Sequence, residues 1–149
     1  MRVIIQRVSE ASVSIDSQVN AKIKQGLMIL VGISSEDNHE DIDWLTQKII
    51  NLRIFNDENG KMNLSLLDAK GEILLISQFT LFASTKKGNR PSFIQSAKPE
   101  IAVPLYEQFI ISLKDRGISI QTGTFGADMK VSLTNDGPVT ISIDSKNKE

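Results

Sequence analysis

The chain has 149 residues, 40% apolar and 23% charged, with 17 basic and 18 acidic side chains; these totals suit one globular core and exclude the broad positive field that grips a phosphate backbone non-specifically. Cysteine is absent, which excludes disulfides, thiolate nucleophiles and thiolate-bound zinc, leaves the chemistry to oxygen, nitrogen and backbone groups, and fits a reducing compartment. No run of about 18 apolar residues could span a bilayer, and the opening MRVIIQRVSEASVSID alternates like a strand instead of carrying a signal peptide's charged head and apolar stretch, so a cytoplasmic protein without a membrane partner is expected.

In chain order, Val3-Ile4-Ile5, then Ala11-Ser12-Val13-Ser14-Ile15 running to an Asp16-Ser17 turn, then the apolar run 26–33 read as three strands. Asp37 with Glu40 three residues on has the form of a capping box, and Ile42, Leu45, Ile49 and Leu52 follow at helical spacing, which predicts a helix over 38–53. Residues 56–60 are turn chemistry, and the run EILLISQFTLF over 72–82 predicts a central strand. Thr85 to Pro91 form a polar loop. Leu105, Phe109 and Leu113, with Tyr106 and Ile110 beside them, predict a second helix from near Pro104 to Gly117. Strands resume at 118–120, pass the glycine pair Gly123 and Gly126 to 129–133, turn at Asn135-Asp136-Gly137-Pro138 and close at 139–143. With no repeat or linker, the expectation is an α+β fold: a mostly antiparallel sheet or barrel-like core with two main helices, one domain over 1–145 and a frayed tail at 146–149.

Few side chains in this pattern suggest chemistry by themselves. The one histidine, His39, stands among Glu36, Asp37, Glu40, Asp41 and Asp43 at a predicted helix start, where a solvated terminus is the simpler reading and a transition-metal site lacks further histidines. Strand alternation over 77–81 puts Gln78 and Thr80 on one face and Ser77, Phe79 and Leu81 on the other. Such polar groups in an apolar run belong either to an ordinary half-exposed strand or to a strand end opening into a site. Gly137-Pro138 reads as part of a turn, with an X-Pro bond that is a candidate for cis. Lys86, Lys87 and Arg90 fit a solvated loop or a phosphate contact. Met129 fits a core or a pocket.

Together these pieces carry more. Gln6-Arg7-Val8, Ser77-Gln78-Phe79-Thr80-Leu81, Asn89-Arg90-Pro91-Ser92-Phe93, the segment from Thr122 to Val131 and Asn135-Asp136-Gly137-Pro138-Val139-Thr140 stand in an order and at a spacing that resemble the D-aminoacyl-tRNA deacylase family, over nearly the whole chain. The resemblance implies an editing hydrolase acting on the tRNA acceptor end that carries a D-amino acid, or glycine mischarged on tRNA-Ala. It implies a homodimer in which Gly137-Pro138, held cis, reaches into the partner's pocket and rejects L-amino acids sterically, with Arg7 steadying the pair and Met129 among the substrate-binding residues. Catalysis would centre on Ser77, Gln78, Phe79 and Thr80. The resemblance further implies that the substrate's 2′-hydroxyl would help activate water, that the N–H groups around Phe79 and Thr80 would stabilise the oxyanion, and that Gln78 and Ser77 would orient water or substrate. Thr80 has been regarded as a nucleophile in this family, but no histidine, lysine or carboxylate in its motif is available to deprotonate it. Lys86, Lys87 and Arg90 are the tRNA-contact candidates, and no metal or organic cofactor is called for. Two alternatives stay open on the residues: a non-catalytic binder of RNA ends using the 86–90 loop, and a small-molecule hydrolase or ligand-binding protein with a pocket at a dimer interface.

Overall fold

In the computed structural model, which describes residues 1–148, the N-terminal alternation builds one strand, β1 (Arg2–Ile15), where two pieces were expected. Asp16 and Ser17 both take positive φ, 50° and 65°, the backbone of a tight hairpin turn whose twist matches its strands. The chain returns as β2 (Gln18–Ile23), a strand the sequence reading does not assign although Ala21 and Ile23 bury on one face. Then follow β3 (Gly26–Gly32), helix α1 (His39–Asn51), the small pair β4 (Phe55–Asn56) and β5 (Met62–Leu64), β6 (Glu72–Ser77), a 3-10 turn at Phe79–Phe82, helix α2 (Pro99–Lys114), β7 (Ile120–Thr122) and β8 (Lys130–Asp144).

β1 organises the sheet. One of its edges pairs antiparallel with β3 along its first half and with β2 along its second, while β8 runs antiparallel along the other edge. β6 and β7 extend the sheet in parallel beyond β3. The order is β2-β1-β3-β6-β7, and β2 comes back into contact with β6 and β7, so the sheet curls nearly into a barrel. The expectation of an α+β, barrel-like fold with two main helices holds, with two parallel pairings inside a mostly antiparallel sheet.

The central strands bury both faces, which is why they read as continuous apolar runs. Leu27, Ile29 and Val31 of β3 and Ile73 and Leu75 of β6 pack toward Ile42, Leu45 and Ile49 of α1 and Tyr106, Phe109 and Leu113 of α2. Met28 of β3 with Leu74 and Ile76 of β6 face the other way, onto Val8, Ala11, Val13, Ala21 and Ile23. Each Val, Leu, Ile, Phe or Met side chain among them contributes about 1.5–3 kcal/mol on burial. β1 passes from one core to the other: Val3 and Ile5 belong to the helix side, Val8, Ala11 and Val13 to the barrel interior.

Several boundaries differ from the sequence reading, among them the strand expected at 118–120, which is β7 at Ile120–Thr122. The capping box of α1 is Asn38 with Asp41, one residue later than expected, because Asp37 is engaged by the Met1 ammonium and by the Ser34 N–H. α2 begins at Pro99, a proline in the first turn, and accommodates Pro104 inside. Pro104 forfeits only a bond to the carbonyl of exposed Glu100 near the helix start. The run 72–82 is a strand only to Ser77, since β3 ends at Gly32 and leaves no partner to continue the ladder. Finally, 135–138 does not reverse the chain: β8 runs through it with a bulge.

The chain ends meet in a buried polar cluster. The Met1 ammonium, fully buried, donates to Asp37 and to Ser145 Oγ; Ser145 Oγ donates to Asp41 at 2.7 Å, and Lys146 Nζ reaches Asp41 at 2.8 Å. Of the tail expected to fray, Lys146 is held by Asp41 and Lys148 lies over the Trp44 ring, while Glu149 lies outside the described residues. Among the described residues, no helix is long and apolar enough to cross a membrane.

Burial alone would raise the Asp41 carboxyl, but hydrogen bonds from Lys146, Ser145 and the Asn38 N–H outweigh it and hold it below the usual carboxylate range. A carboxyl depressed in the folded state stabilises above its unfolded pKa, and that contribution is lost as pH falls through the folded value. Thermal melts from about pH 6 down to about pH 2.5 should therefore show the wild type losing stability below about pH 4. Asp41→Asn should be less stable than wild type by about 2 kcal/mol near neutrality and flatter across the acid range.

Candidate functional site

The end of β6 shapes a cavity. Gln78 N–H donates to Val31 O at 2.7 Å, the last bond to β3, and the chain then folds into the 3-10 turn with Leu81 N–H donating to Gln78 O at 3.3 Å and Ala83 N–H to Thr80 O at 3.0 Å. A Cβ at Gly32 would stand 3.0 Å from both Gln78 O and Leu81 Cβ, so glycine lets the turn lie close on β3. Within a 3-10 turn the bonds begin at Leu81, which leaves the Phe79 and Thr80 N–H groups without an acceptor in the turn. The alternating faces expected for 77–81 are therefore replaced by a turn in which Phe79 and Thr80 are both exposed.

Beside this turn lies a cavity of about 300 Å³. Ser77, Gln78 and Phe79 supply one wall, Val31 and Ile33 the β3 side, Ser96, Ala97 and Ala102 the approach to α2, and residues 125–129 with Val131 the remaining side. Most of this lining is apolar. Tyr106 of α2 braces it from behind: its hydroxyl donates to Leu75 O at 3.0 Å and its ring lies 5.7 Å from that of Phe125. Burial pushes the Tyr106 phenol far above its usual pKa, so it remains a donor. Met129 sits in the wall, and a Cβ at Gly123 would collide with its thioether; the glycine makes room for that side chain. The ionisable residue of the lining, Asp128, is exposed and paired with Lys130 at 3.0 Å. Gln78 Nε2 donates to Thr80 Oγ1, and an amide cannot take that hydroxyl's proton. Among the described residues no group of three or more His, Cys, Asp or Glu side chains gathers.

After the turn the chain loops out and closes on itself through Ser84 and Ser92, whose backbones exchange hydrogen bonds at 2.8 and 2.9 Å. Lys86, Lys87 and Arg90 are exposed within that loop, and at its base Phe93 meets Phe79 edge-on at 5.0 Å.

On the opposite edge of β1 lies the β8 bulge. Gln6 pairs with Thr140 and Val8 with Asn135, so Arg7 alone faces residues 136–139. Its buried guanidinium donates from Nε to Asp136 O at 2.9 Å and from Nη1 to Ile54 O at 2.6 Å and Asn56 Oδ1 at 3.3 Å. Asn135 ties the bulge from within, accepting from Val139 N–H and donating to Thr140 Oγ1, both at 2.9 Å. The Gly137–Pro138 bond is cis, and Gly137 has φ 134°. A Cβ there would lie 2.9 Å from Arg7 Nη2 and from Val139 Cγ2, so only glycine fits against the guanidinium. Asp136, Gly137 and Pro138 are exposed.

With this geometry in view, the D-Tyr-tRNA(Tyr) deacylase family profile matches residues 4–144. The chain belongs to that family. D-aminoacyl-tRNA deacylases of Flavobacterium psychrophilum and Bacteroides fragilis are 67% and 66% identical to it, each over the whole of both chains, and like the members of this deacylase family it is a hydrolase. Among solved structures, the c-Myc DNA Unwinding Element Binding Protein is similar with a TM-score of 0.91 at 41% identity, covering 97% of this chain and 98% of its own. A probable eukaryotic D-amino acid tRNA deacylase shares the fold, with a TM-score of 0.81 at 17% identity over 95% of this chain and 98% of its own.

Of the residues singled out in the sequence, the deacylase fold gathers Ser77, Gln78, Phe79 and Met129 around one cavity. Thr80 adjoins it through the turn. Arg7, Gly137 and Pro138 form a second centre on the β8 bulge, and Gly137 and Pro138 do not line this cavity. Lys86, Lys87 and Arg90 form a third group, on the loop. His39 is the exposed first residue of α1. Sequence reasoning missed Ile33, Ser96, Ala97 and Ala102, small or aliphatic residues that nothing in the sequence sets apart from ordinary core or loop positions.

Arg7→Ala should destabilise the chain by about 3 kcal/mol in urea unfolding, because it strips buried carbonyls of their donor and releases the bulge. Arg7→Lys should recover less than half of that loss, since a point ammonium cannot span the acceptors that the guanidinium fork reaches.

Proposed function

We propose that the chain hydrolyses the ester bond of D-aminoacyl-tRNA, and of glycyl-tRNA mischarged on tRNA-Ala, releasing the D-amino acid or glycine and free tRNA while sparing L-aminoacyl-tRNA. The observation that carries this reading is a cavity walled by Ser77, Gln78 and Phe79, next to two N–H groups with no acceptor in their turn. An aminoacyl ester is already activated, so positioning and oxyanion stabilisation suffice where acid–base side chains are lacking. The carbonyl oxygen that becomes negative in the tetrahedral intermediate is met by Phe79 and Thr80 N–H. Ser77 and Gln78 orient the substrate or the water, and the terminal adenosine's 2′-hydroxyl helps activate that water.

Chirality selection falls to Gly137 and Pro138. Because that pair lies outside its own protomer's cavity, the reading calls for a homodimer in which each protomer lends its bulge to the other's cavity, an exchange that two-fold symmetry makes reciprocal. Main-chain atoms of the bulge fill the space an L side chain would need, so L substrates are excluded by a clash while D substrates and achiral glycine pass. Arg7 and Asn135 keep the bulge stiff enough to act as that wall, and Met129 packs against the bound aminoacyl group. Lys86, Lys87 and Arg90, exposed together on one loop, contact the phosphates of the acceptor end. A few local cations are enough for that grip, which agrees with a net charge of −1.

The purified chain should hydrolyse D-tyrosyl-tRNA and glycyl-tRNA without added cofactor and leave L-tyrosyl-tRNA intact. Equal loss of both enantiomers would remove the chirality filter. Binding of tRNA with no deacylation above background would instead favour a module that only holds RNA ends, and equally fast turnover of free amino-acid esters would favour a small-molecule hydrolase. Thr80→Ala should retain most activity, whereas replacing the terminal 2′-hydroxyl by hydrogen should lower the single-turnover rate by roughly 10²-fold or more; the reverse pattern would make Thr80 the nucleophile.

A further inference from the structure

Arg2 takes no part in the chemistry described above, yet its side chain reaches the turn on which that chemistry rests. Its Nη1 donates to Leu81 O at 3.1 Å, and its guanidinium carbon stands 4.5 Å from the centre of the Phe82 ring. From the other side its Nε donates to Asp144 Oδ2 at 2.8 Å. The backbone is equally well placed: Arg2 pairs with Gly32 of β3 and with Asp144 of β8, and the neighbouring Met1 ammonium is buried against Asp37 and Ser145. The guanidinium thus bridges a rigid sheet corner and a weak element.

The 3-10 turn needs such a bridge. Its i→i+3 geometry is poor, it spans Phe79–Phe82 alone, and the two residues offering their N–H groups are exposed. Leu81 O lies at its end, where carbonyls lack a helical partner and a cationic donor is well suited to them. We infer that Arg2 is a positioning residue for ester hydrolysis, clamping the 79–82 turn through the Leu81 carbonyl and the Phe82 ring so that the Phe79 and Thr80 N–H groups stay aimed at the cavity. This inference rests on the proposed function for its catalytic consequence, whereas the clamp itself can be measured without activity. Arg2 and Asp144 are partly exposed, and such an ion pair contributes little to global stability, so its removal leaves the cores intact.

The test uses the full chain with Arg2→Ala, Arg2→Lys and Asp144→Asn. Hydrogen exchange at the Leu81 and Ala83 amides, which close the turn, reads the clamp. Single-turnover hydrolysis of D-tyrosyl-tRNA reads positioning, because it does not depend on the fraction of active enzyme. Arg2→Ala should speed exchange at both amides by about tenfold and slow the single-turnover step by about tenfold at unchanged KM, with exchange in β3 and α1 unaffected. Arg2→Lys should restore part of both, since a cation and a donor return, and Asp144→Asn should produce a smaller loss that is not additive with Arg2→Ala. Unchanged turn exchange in Arg2→Ala overturns the clamp. Faster exchange with an unchanged single-turnover rate overturns the positioning role. Should Arg2→Ala unfold, Arg2→Lys and Asp144→Asn decide by the same two readouts. A wild type that does not hydrolyse D-tyrosyl-tRNA defeats the proposed function and the positioning role with it, and the exchange arm still decides the clamp.

Discussion

A single buried guanidinium, that of Arg7, holds together the features that distinguish this fold from a plain curled sheet. It sits where β1 crosses from the helix-side core to the barrel interior and where four residues of β8 face one residue of β1. A charge at that depth is tolerable only if its donors are used, and the fork uses them on Asp136 O, Ile54 O and Asn56 Oδ1. The consequence is a surface bulge that is stiff although it is exposed. Gly137 follows from the same contact, because any side chain there would press on Arg7 and Val139.

The cavity, by contrast, arises from strand termination. β6 is buried on both faces between two cores, so its path is fixed, and it stops where β3 stops. Whatever follows must turn out of the sheet, and Gly32 lets it do so at close range. That turn leaves main-chain N–H groups, an aromatic ring and two small polar side chains at the mouth of an apolar cavity. Both centres are built from backbone geometry: one leaves two N–H groups without an acceptor in their turn, and the other holds a Gly-Pro pair on an exposed bulge tied to Arg7. Under the proposed function that geometry is sufficient, because an ester that is already activated asks a protein with one histidine and no cysteine for little more than positioning.

Polar contacts concentrate where the two ends of the chain converge. The Met1 ammonium, Asp37, Asp41, Ser145 and Lys146 link the start of β1, the start of α1 and the residues after β8, and Arg2 with Asp144 carries that rigidity outward to the 3-10 turn. Tyr106 does the same from the helix side through Leu75 O and Phe125. The cavity is thus braced from two directions by residues that do not line it.

By itself the sequence determined the class of the fold, the existence of both helices and the central strand that leads to the cavity, because periodicity and apolar runs are local properties of the chain, and it singled out the segments around Ser77 and Gly137. It could not determine where elements stop. The capping box moved by one residue because Asp37 was needed by Met1, 36 positions away; the run 72–82 broke at Ser77 because β3 had run out; and Asn135-Asp136-Gly137-Pro138, good turn chemistry anywhere else, became a bulge because β1 continues on the far side and Arg7 fills the gap. Nor could it bring Arg2 to Leu81 or Ile33 and Ala102 to the cavity wall. Those outcomes depend on hydrogen-bond partners and packing surfaces supplied by distant segments, and a residue's own neighbours in sequence carry no record of them.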